Sequence, residues 1–467
     1  MKVFRAARPQ LRTLGAAFVA LPLIVGAGAQ SFAAQSAEEP RQPSTQRVSL
    51  KNNGGQTSGG AYSIATTPDA RFVAYVSKAS DIVPGDTNGA ADIFLRDRQT
   101  GTTERINVST TGEQAQKGPV IGGPFGWSFG STNPTISADG RYVFFSSDAP
   151  NLVPGDTNGA QDVFVRDRQA GTTERLSLNN SGAQVAQGGD TPSSSADGRY
   201  VAFLSGATNL VSGDTNGVVD AFVRDRQTGT TTRVSLGNTG AQANADLQDL
   251  QISADGKVVV FGTTASNLVT GDTNALRDVF ARDLAAGTTQ RVNVSSTGAQ
   301  ATGGESGVEA GSVSADGRHI AFVSEAKNLV PGDTNALTDF FVRDRQTGVT
   351  ERVSVDSQGA QMTGNIITVW TSSISADGRY VAFSTEGRLS ANDTPYFVSD
   401  IFVRDRQTQT TELVSVANDG TSVGSSAIYP ALSADGRQVA FVSRSSQLVA
   451  DDTNNAEDVF VRDRGTL

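Results

Sequence analysis

The chain has 467 residues, 37% of them hydrophobic, with 50 glycines, one histidine and no cysteine. Disulfides are therefore excluded, and the usual Cys/His zinc ligand sets are missing. The formal net charge of −10 argues against a nucleic-acid partner, which would want a basic face.

The first 29 residues read as a signal peptide. Lys2, Arg5, Arg8 and Arg12 form its basic region, Leu14 to Val25 its apolar core, and Ala27-Gly28-Ala29 its cleavage site. Loss of those four positive charges would take the net charge from −10 to −14. The apolar run is too short for a membrane span and no other segment approaches one, so an exported protein without membrane insertion is expected, periplasmic or secreted. Residues 30–45 are polar, contain Pro40 and Pro43, and read as a flexible lead.

From residue 46 to 467 one motif recurs: SADGRYVAF, then DTN, then DVFVRDRQ, then RVSV. Its seven copies begin at Thr67, Ser137, Ser195, Ser253, Ser314, Ser375 and Ser433. Later copies lie 58 or 61 residues apart and the first interval is 70, a period that announces a stacked or radial array. In the third copy, Arg199–Leu204, Asp220–Arg224 and Thr232–Leu236 are rich in β-branched and aromatic residues and read as strands. One more strand precedes the SADG turn, as at Asn133 to Ser137 in the second copy. Ala-Asp-Gly, Gly-Asp-Thr-Asn and Gln-Thr-Gly-Thr supply the turns between them. Four antiparallel strands per unit, repeated radially, predict an all-β, seven-bladed β-propeller; a string of sandwiches is the alternative. The seventh copy stops where its fourth strand should begin, and Arg47-Val48-Ser49-Leu50 carries the missing pattern at the other end of the chain. Residues 46–50 are thus expected to complete the last blade and close the ring, removing a raw sheet edge.

Each blade's second-to-third-strand loop should share a face with the blade-to-blade connections, because alternate connections of a meander fall on opposite ends. In six copies that loop carries Asp-x-Asn-x-x-x-Asp: Asp86/Asn88/Asp92, Asp156/Asn158/Asp162, Asp214/Asn216/Asp220, Asp272/Asn274/Asp278, Asp333/Asn335/Asp339 and Asp452/Asn454/Asp458. Alternate side-chain oxygens across a turn, with a later carboxylate, point to a hard cation such as Ca²⁺. Turn capping by the same Asp and Asn residues is the competing reading, and three side-chain oxygens fall short of a full calcium shell. In the sixth copy Pro395 holds the Asn position and Asp400 comes one residue late. The Arg-Asp pair ending each third strand (Arg96-Asp97 and its equivalents) is expected to bond the SADG carboxylates, such as Asp139 and Asp197.

Two blade-to-blade connections break the repeat. Gln116 to Thr132 holds Phe125, Trp127 and Phe129, and Gln361 to Ser372 holds Trp370; together they contain the only two tryptophans. Aromatic side chains on loops around a central funnel are the anchor type expected of a ligand-binding site. Packing down over their own blades is the other use for such residues. Gly126-Trp127-Ser128-Phe129-Gly130 matches a nucleophile elbow, but no helix follows it and no base accompanies it. His319 stands where other copies have tyrosine and reads as a strand residue.

The SADGR (Ser195 to Arg199), VAF (Val201 to Phe203) and DVFVRD (Asp162 to Asp167) segments resemble the TolB-like propeller repeat of exported bacterial proteins. The resemblance covers all seven units. It implies a binding or scaffold propeller rather than a particular chemistry, since such repeats also occur in prolyl oligopeptidases and a pectate-fragment lyase. The α/β domain, the hydrolase domain and the histidine-rich metal site of those proteins have no counterpart here. The expected function is a non-enzymatic module that presents one loop face to an envelope or extracellular protein or glycan, as a monomer, with calcium as the one cofactor its loops invite. A lyase or hydrolase using carboxylates on that face, and a structural calcium-binding surface protein, are the alternatives.

Overall fold

The computed structural model describes residues 41–118, 130–307, 312–364, 371–390, 393 and 398–466. The expected signal segment, Phe125, Trp127, Ser128, Phe129 and Trp370 all lie outside the described residues. Among the described residues there are strands and turns but no helix, hence none long and apolar enough to cross a membrane.

The strands form seven four-stranded antiparallel sheets, one per repeat. Blade one runs Ala61–Thr66, Phe72–Ser77, Asp92–Asp97 and Thr102–Arg105, from the innermost strand outward. The last blade takes its outer strand, Ser44–Arg47, from the start of the propeller, paired antiparallel with Asp458–Asp463 so that Arg47 faces Phe460. The chain is therefore a seven-bladed propeller with the ring closed as expected, although the closing strand begins two residues before Gln46. Ser44 and Thr45, assigned to the lead by sequence, already belong to it. Thr45 is buried and donates its Oγ1 hydrogen to the Val416 carbonyl at 3.1 Å.

The outer strand of blade three is offset in the same direction. It is Thr230–Arg233 rather than Thr232–Leu236. Ser235 explains the early end: its Oγ accepts the Ala221 N–H at 3.2 Å, so a side chain takes the place of the next backbone partner in the ladder.

Hydrophobic strands pack blade against blade. Phe203 stacks on Phe222 at 5.9 Å within blade three, and corresponding aromatic pairs recur around the ring. The SADG glycine has two duties. It adopts positive φ (Gly256, +70°), and it leaves room for the side chain that opens the preceding blade's second strand, here Tyr200. His319 plays that role for Gly378 and lies in the strand His319–Ser324, as its sequence position implied.

The SADG turns also hold one another. Ala138 N–H donates to the Ala196 carbonyl at 2.8 Å, Ala196 to Ala254 at 2.8 Å, Ala315 to Ala376 at 3.0 Å and Ala376 to Ala434 at 2.9 Å. Asp255 makes the corresponding bond to Ala315 at 3.0 Å, and Ala434 closes the circle on the Pro68 carbonyl at 2.7 Å. Pro68 has no N–H, so the step from blade one to blade two is the one this ring of peptides cannot make.

The expectation for the Arg-Asp pairs needs correction. Asp97 is gripped bidentately by Arg71, which follows the Thr-Pro-Asp-Ala turn of the same blade, at 3.0 and 2.7 Å. Arg96 instead reaches Thr103 Oγ1 at 3.0 Å and the Lys51 carbonyl at 3.3 Å, tying its blade to the preceding segment. The turn carboxylate caps its own turn: Asp139 accepts from Ser137 Oγ at 2.6 Å and from Arg141 N–H at 2.9 Å. Arginine reaches the third-strand carboxylate because its planar fork matches both oxygens, while the short turn aspartate is already satisfied locally.

Candidate functional site

The second-to-third-strand loops and the blade-to-blade connections share one end of the ring. Asn88 donates to the Ala115 carbonyl at 2.9 Å, and Gln116 N–H bonds Asn151 Oδ1 of the next blade's loop at 2.8 Å. Both tryptophan-bearing insertions belong to connections on this end.

The DTN loops are built the same way in blade after blade. Asn88 Oδ1 accepts the Ala90 N–H at 2.9 Å, an Asx turn, while Nδ2 donates to both oxygens of Asp92 at 3.0 Å. Asn158, Asn216, Asn274 and Asn454 point their amides at Asp162, Asp220, Asp278 and Asp458 at 2.9–3.2 Å. Asn335 donates to the Met362 carbonyl at 3.5 Å and its side chain also hydrogen-bonds Asp339.

A residue that the sequence reading passed over completes each loop. Arg105, the last residue of the outer strand, sits 3.3 Å from Asp86 and 3.6 Å from Asp92. Arg175 lies between Asp156 and Asp162 at 3.2 and 3.4 Å, and Arg233 between Asp214 and Asp220 at 2.9 and 3.5 Å. Arg291 bridges Asp272 and Asp278 at 3.2 and 3.0 Å, and Arg352 bridges Asp333 and Asp339 at 3.3 and 3.4 Å. In blade seven Arg47, from the closing strand, bridges Asp452 and Asp458 at 3.0 and 3.8 Å. The two carboxylates of each loop thus meet a guanidinium of the same blade, and the asparagine between them turns its donor, not its oxygen, toward the second. This arrangement favours the turn-capping reading of the DTN motif. Among the described residues no three acidic or histidine side chains cluster as a metal would need.

These carboxylates are nearly inaccessible to water, and burial shifts the titration of several of them. It pushes Asp92 up to about 6, against the donors Asn107 and Asn88. Burial likewise raises Asp162, Asp220, Asp339 and Asp458. The Arg71–Asp97 class goes the other way: the guanidinium holds Asp97 down at about 2, and Arg199 does the same for Asp225.

Toward the axis, several innermost strands are bulged. Ser63, Asn133, Thr191 and Tyr429 adopt φ of 49–56° at or beside breaks in strand register. Such bulges re-aim side chains on the strand nearest the axis. Tyr429 is among the few large hydrophobic residues left exposed. Asn133 reaches Asp190 of the next blade at 3.1 Å, and Arg277 pairs with Asp249. His319 Nε2 lies 3.7 Å from Asp344, and burial, with Arg406 nearby, lowers its pKa.

Comparison with protein-family profiles and with curated proteins finds no match. Among solved structures the chain is similar to TolB from Acinetobacter baumannii, at 16% identity and TM-score 0.37, over 77% of this chain and 64% of that one. It is also similar to the β-propeller domain of the Trilobed protease from Pyrococcus furiosus, at 9% identity and TM-score 0.49, over 86% of this chain and 95% of that one. A structure of prolyl endopeptidases is similar at 12% identity and TM-score 0.49, over 86% of this chain and 50% of that one. The chain therefore spans less than two thirds of the TolB protein and half of the endopeptidase.

Proposed function

We propose that the chain is an exported, non-enzymatic binding or scaffold propeller that engages a protein or glycan through the end carrying the blade-to-blade insertions. The supporting observation is the asymmetry between the two ends of the ring. At the SADG end six of the seven blades repeat the Ser-Ala-Asp-Gly turn, with Thr-Pro-Asp-Ala in blade one, and the turn peptides bond neighbour to neighbour at every step but the one from blade one to blade two. At the other end the regular loops are closed by their own arginines, and the repeat is broken there by aromatic insertions. Variation confined to one end of a rigid, self-satisfied scaffold is the pattern of a binding surface. Phe125, Trp127, Phe129 and Trp370 are the anchors of this reading. Export rests on the basic and apolar opening of the sequence.

The test is retention of immobilised protein on defined polysaccharides and on envelope-protein fractions, comparing wild type with Trp127→Ala and Trp370→Ala. Retention should fall at least tenfold in one or both variants while the melting midpoint stays within about 1 °C, as expected for contact residues outside the core. Equal retention by all three proteins would remove these residues from the site.

A further inference from the structure

Blade six departs from the fastening used elsewhere. Its outer strand, Thr410–Leu413, pairs Leu413 with Phe402, the register that sets Arg105 against Phe94 and Arg175 against Phe164. An aliphatic side chain therefore stands where blades one to five and blade seven supply the bridging guanidinium. The two carboxylates are nonetheless kept. Asp400 opens the third strand, is buried, and accepts a hydrogen bond from Ser415 Oγ at 2.6 Å. Asp393, from the preceding loop, hydrogen-bonds to Asp400, while its Oδ2 accepts the Leu389 N–H at 2.9 Å. Two carboxyl groups in contact and shielded from water cannot both ionise without a cation between them.

We infer that Asp393 and Asp400 share a proton, which fastens this loop to its strand where the other blades use arginine and lets go as the pH rises.

Burial, followed by the hydrogen bond and charge of Asp400, pushes the Asp393 carboxyl up to about 7. The Leu389 N–H and the charge of Arg388 oppose that rise. From the outer strand and the segment after it, Leu413 and Ser415 bring no charge. A carboxyl whose folded pKa is raised stabilises fully below its unfolded value of about 4, and that stabilisation is lost as the pH climbs through the folded value. Here the loss runs from about pH 4 to about 7 and is complete near neutrality. The fastening is thus tight in a mildly acidic medium and slack in an alkaline one, on a loop at the same end of the ring as the aromatic insertions.

Asp393→Asn tests this, because an amide donates to Asp400 at every pH, as Asn88 does to Asp92. Leu413→Arg restores the guanidinium of the other blades. Melting of the full chain should show Asp393→Asn above wild type by roughly 2–4 °C at pH 8, with the two within about 1 °C at pH 5. Leu413→Arg should show the same pattern, and hydrogen exchange across residues 386–400 should slow in both variants at pH 8. Equal shifts at both pH values, or a variant less stable than wild type at pH 8, overturn the proposal. So does a calcium-dependent rise of wild-type melting at pH 8 that Asp393→Asn abolishes, since the pair would then hold a metal ion. Should Leu413→Arg fail to fold, the Asp393→Asn comparison decides alone.

Discussion

Arg47 lies 3.0 Å from Asp452, and both side chains are almost wholly buried. The pair joins the strand that opens the propeller to the loop of its last blade, so the ring is locked by charge as well as by backbone pairing. Arg47→Ala would leave Asp452 and Asp458 buried without their cation, a loss of about 3 kcal/mol. Urea unfolding should record it as a lower midpoint, and an unchanged midpoint would contradict a locking role. Deleting residues 41–50 should be more severe. It bares the edge Asp458–Asp463, so association in size-exclusion chromatography is expected alongside the lost stability.

Calcium offers a second test. With Arg105, Arg175, Arg233, Arg291, Arg352 and Arg47 between the loop carboxylates, added Ca²⁺ should leave the melting midpoint where a chelator leaves it. Bound metal would stabilise the folded state by about 2.7 kcal/mol at a hundredfold excess over its dissociation constant. A calcium-dependent rise of several degrees would therefore show that metal displaces arginine.

Two glycines with similar backbones should respond differently to alanine. Gly240 has φ of +81° and open space where a Cβ would stand, so Gly240→Ala should cost about 1 kcal/mol of backbone strain. Gly256 has φ of +70°, and a Cβ there would come within 2.7 Å of the Tyr200 ring of the neighbouring blade. Gly256→Ala should cost about 3 kcal/mol, the strain plus overpacking of the blade interface. Equal losses in denaturant titrations would show that the interface gives way freely.

The two classes of carboxylate bound stability from opposite sides of the pH scale. Asp97 and Asp225, held near 2 by Arg71 and Arg199, contribute stability above their unfolded value of about 4, and it is lost as the pH falls toward 2. Asp92, raised to about 6 by burial, contributes below about 4 and loses that contribution as the pH rises through 6. Asp162, Asp220, Asp339 and Asp458, raised for the same reason, act in the same direction. Melting midpoints should therefore peak on the mildly acidic side of neutrality, and a maximum at pH 8 or above would contradict the assignment. Arg199→Gln should be less stable than wild type at pH 7 and converge with it near pH 2.

Much of the fold was legible in the sequence because a repeat states its solution seven times. The period, the β-branched strands and the SADG turns determined blade number and strand count, and the incomplete seventh copy pointed to residues near Arg47 as the closing strand. Strand ends were less legible. Propensity marks Thr232–Leu236 as extended, but Ser235 ends the ladder with its hydroxyl, and only the three-dimensional register reveals that substitution. The DTN loops carry the sharpest contrast. Aspartates spaced around an asparagine look alike whether they hold a cation or cap a turn, and what separates the readings is an arginine 13–19 residues further on, or 405–411 residues earlier in the last blade. Its signal was present: arginine ends the outer strand wherever the DTN motif is intact, and Leu413 stands there in the one copy where the motif is broken. Sequence fixes which groups a chain owns. Which of them neutralise one another was decided by strand pairing, since Coulomb attraction depends on distances that only the closed ring sets.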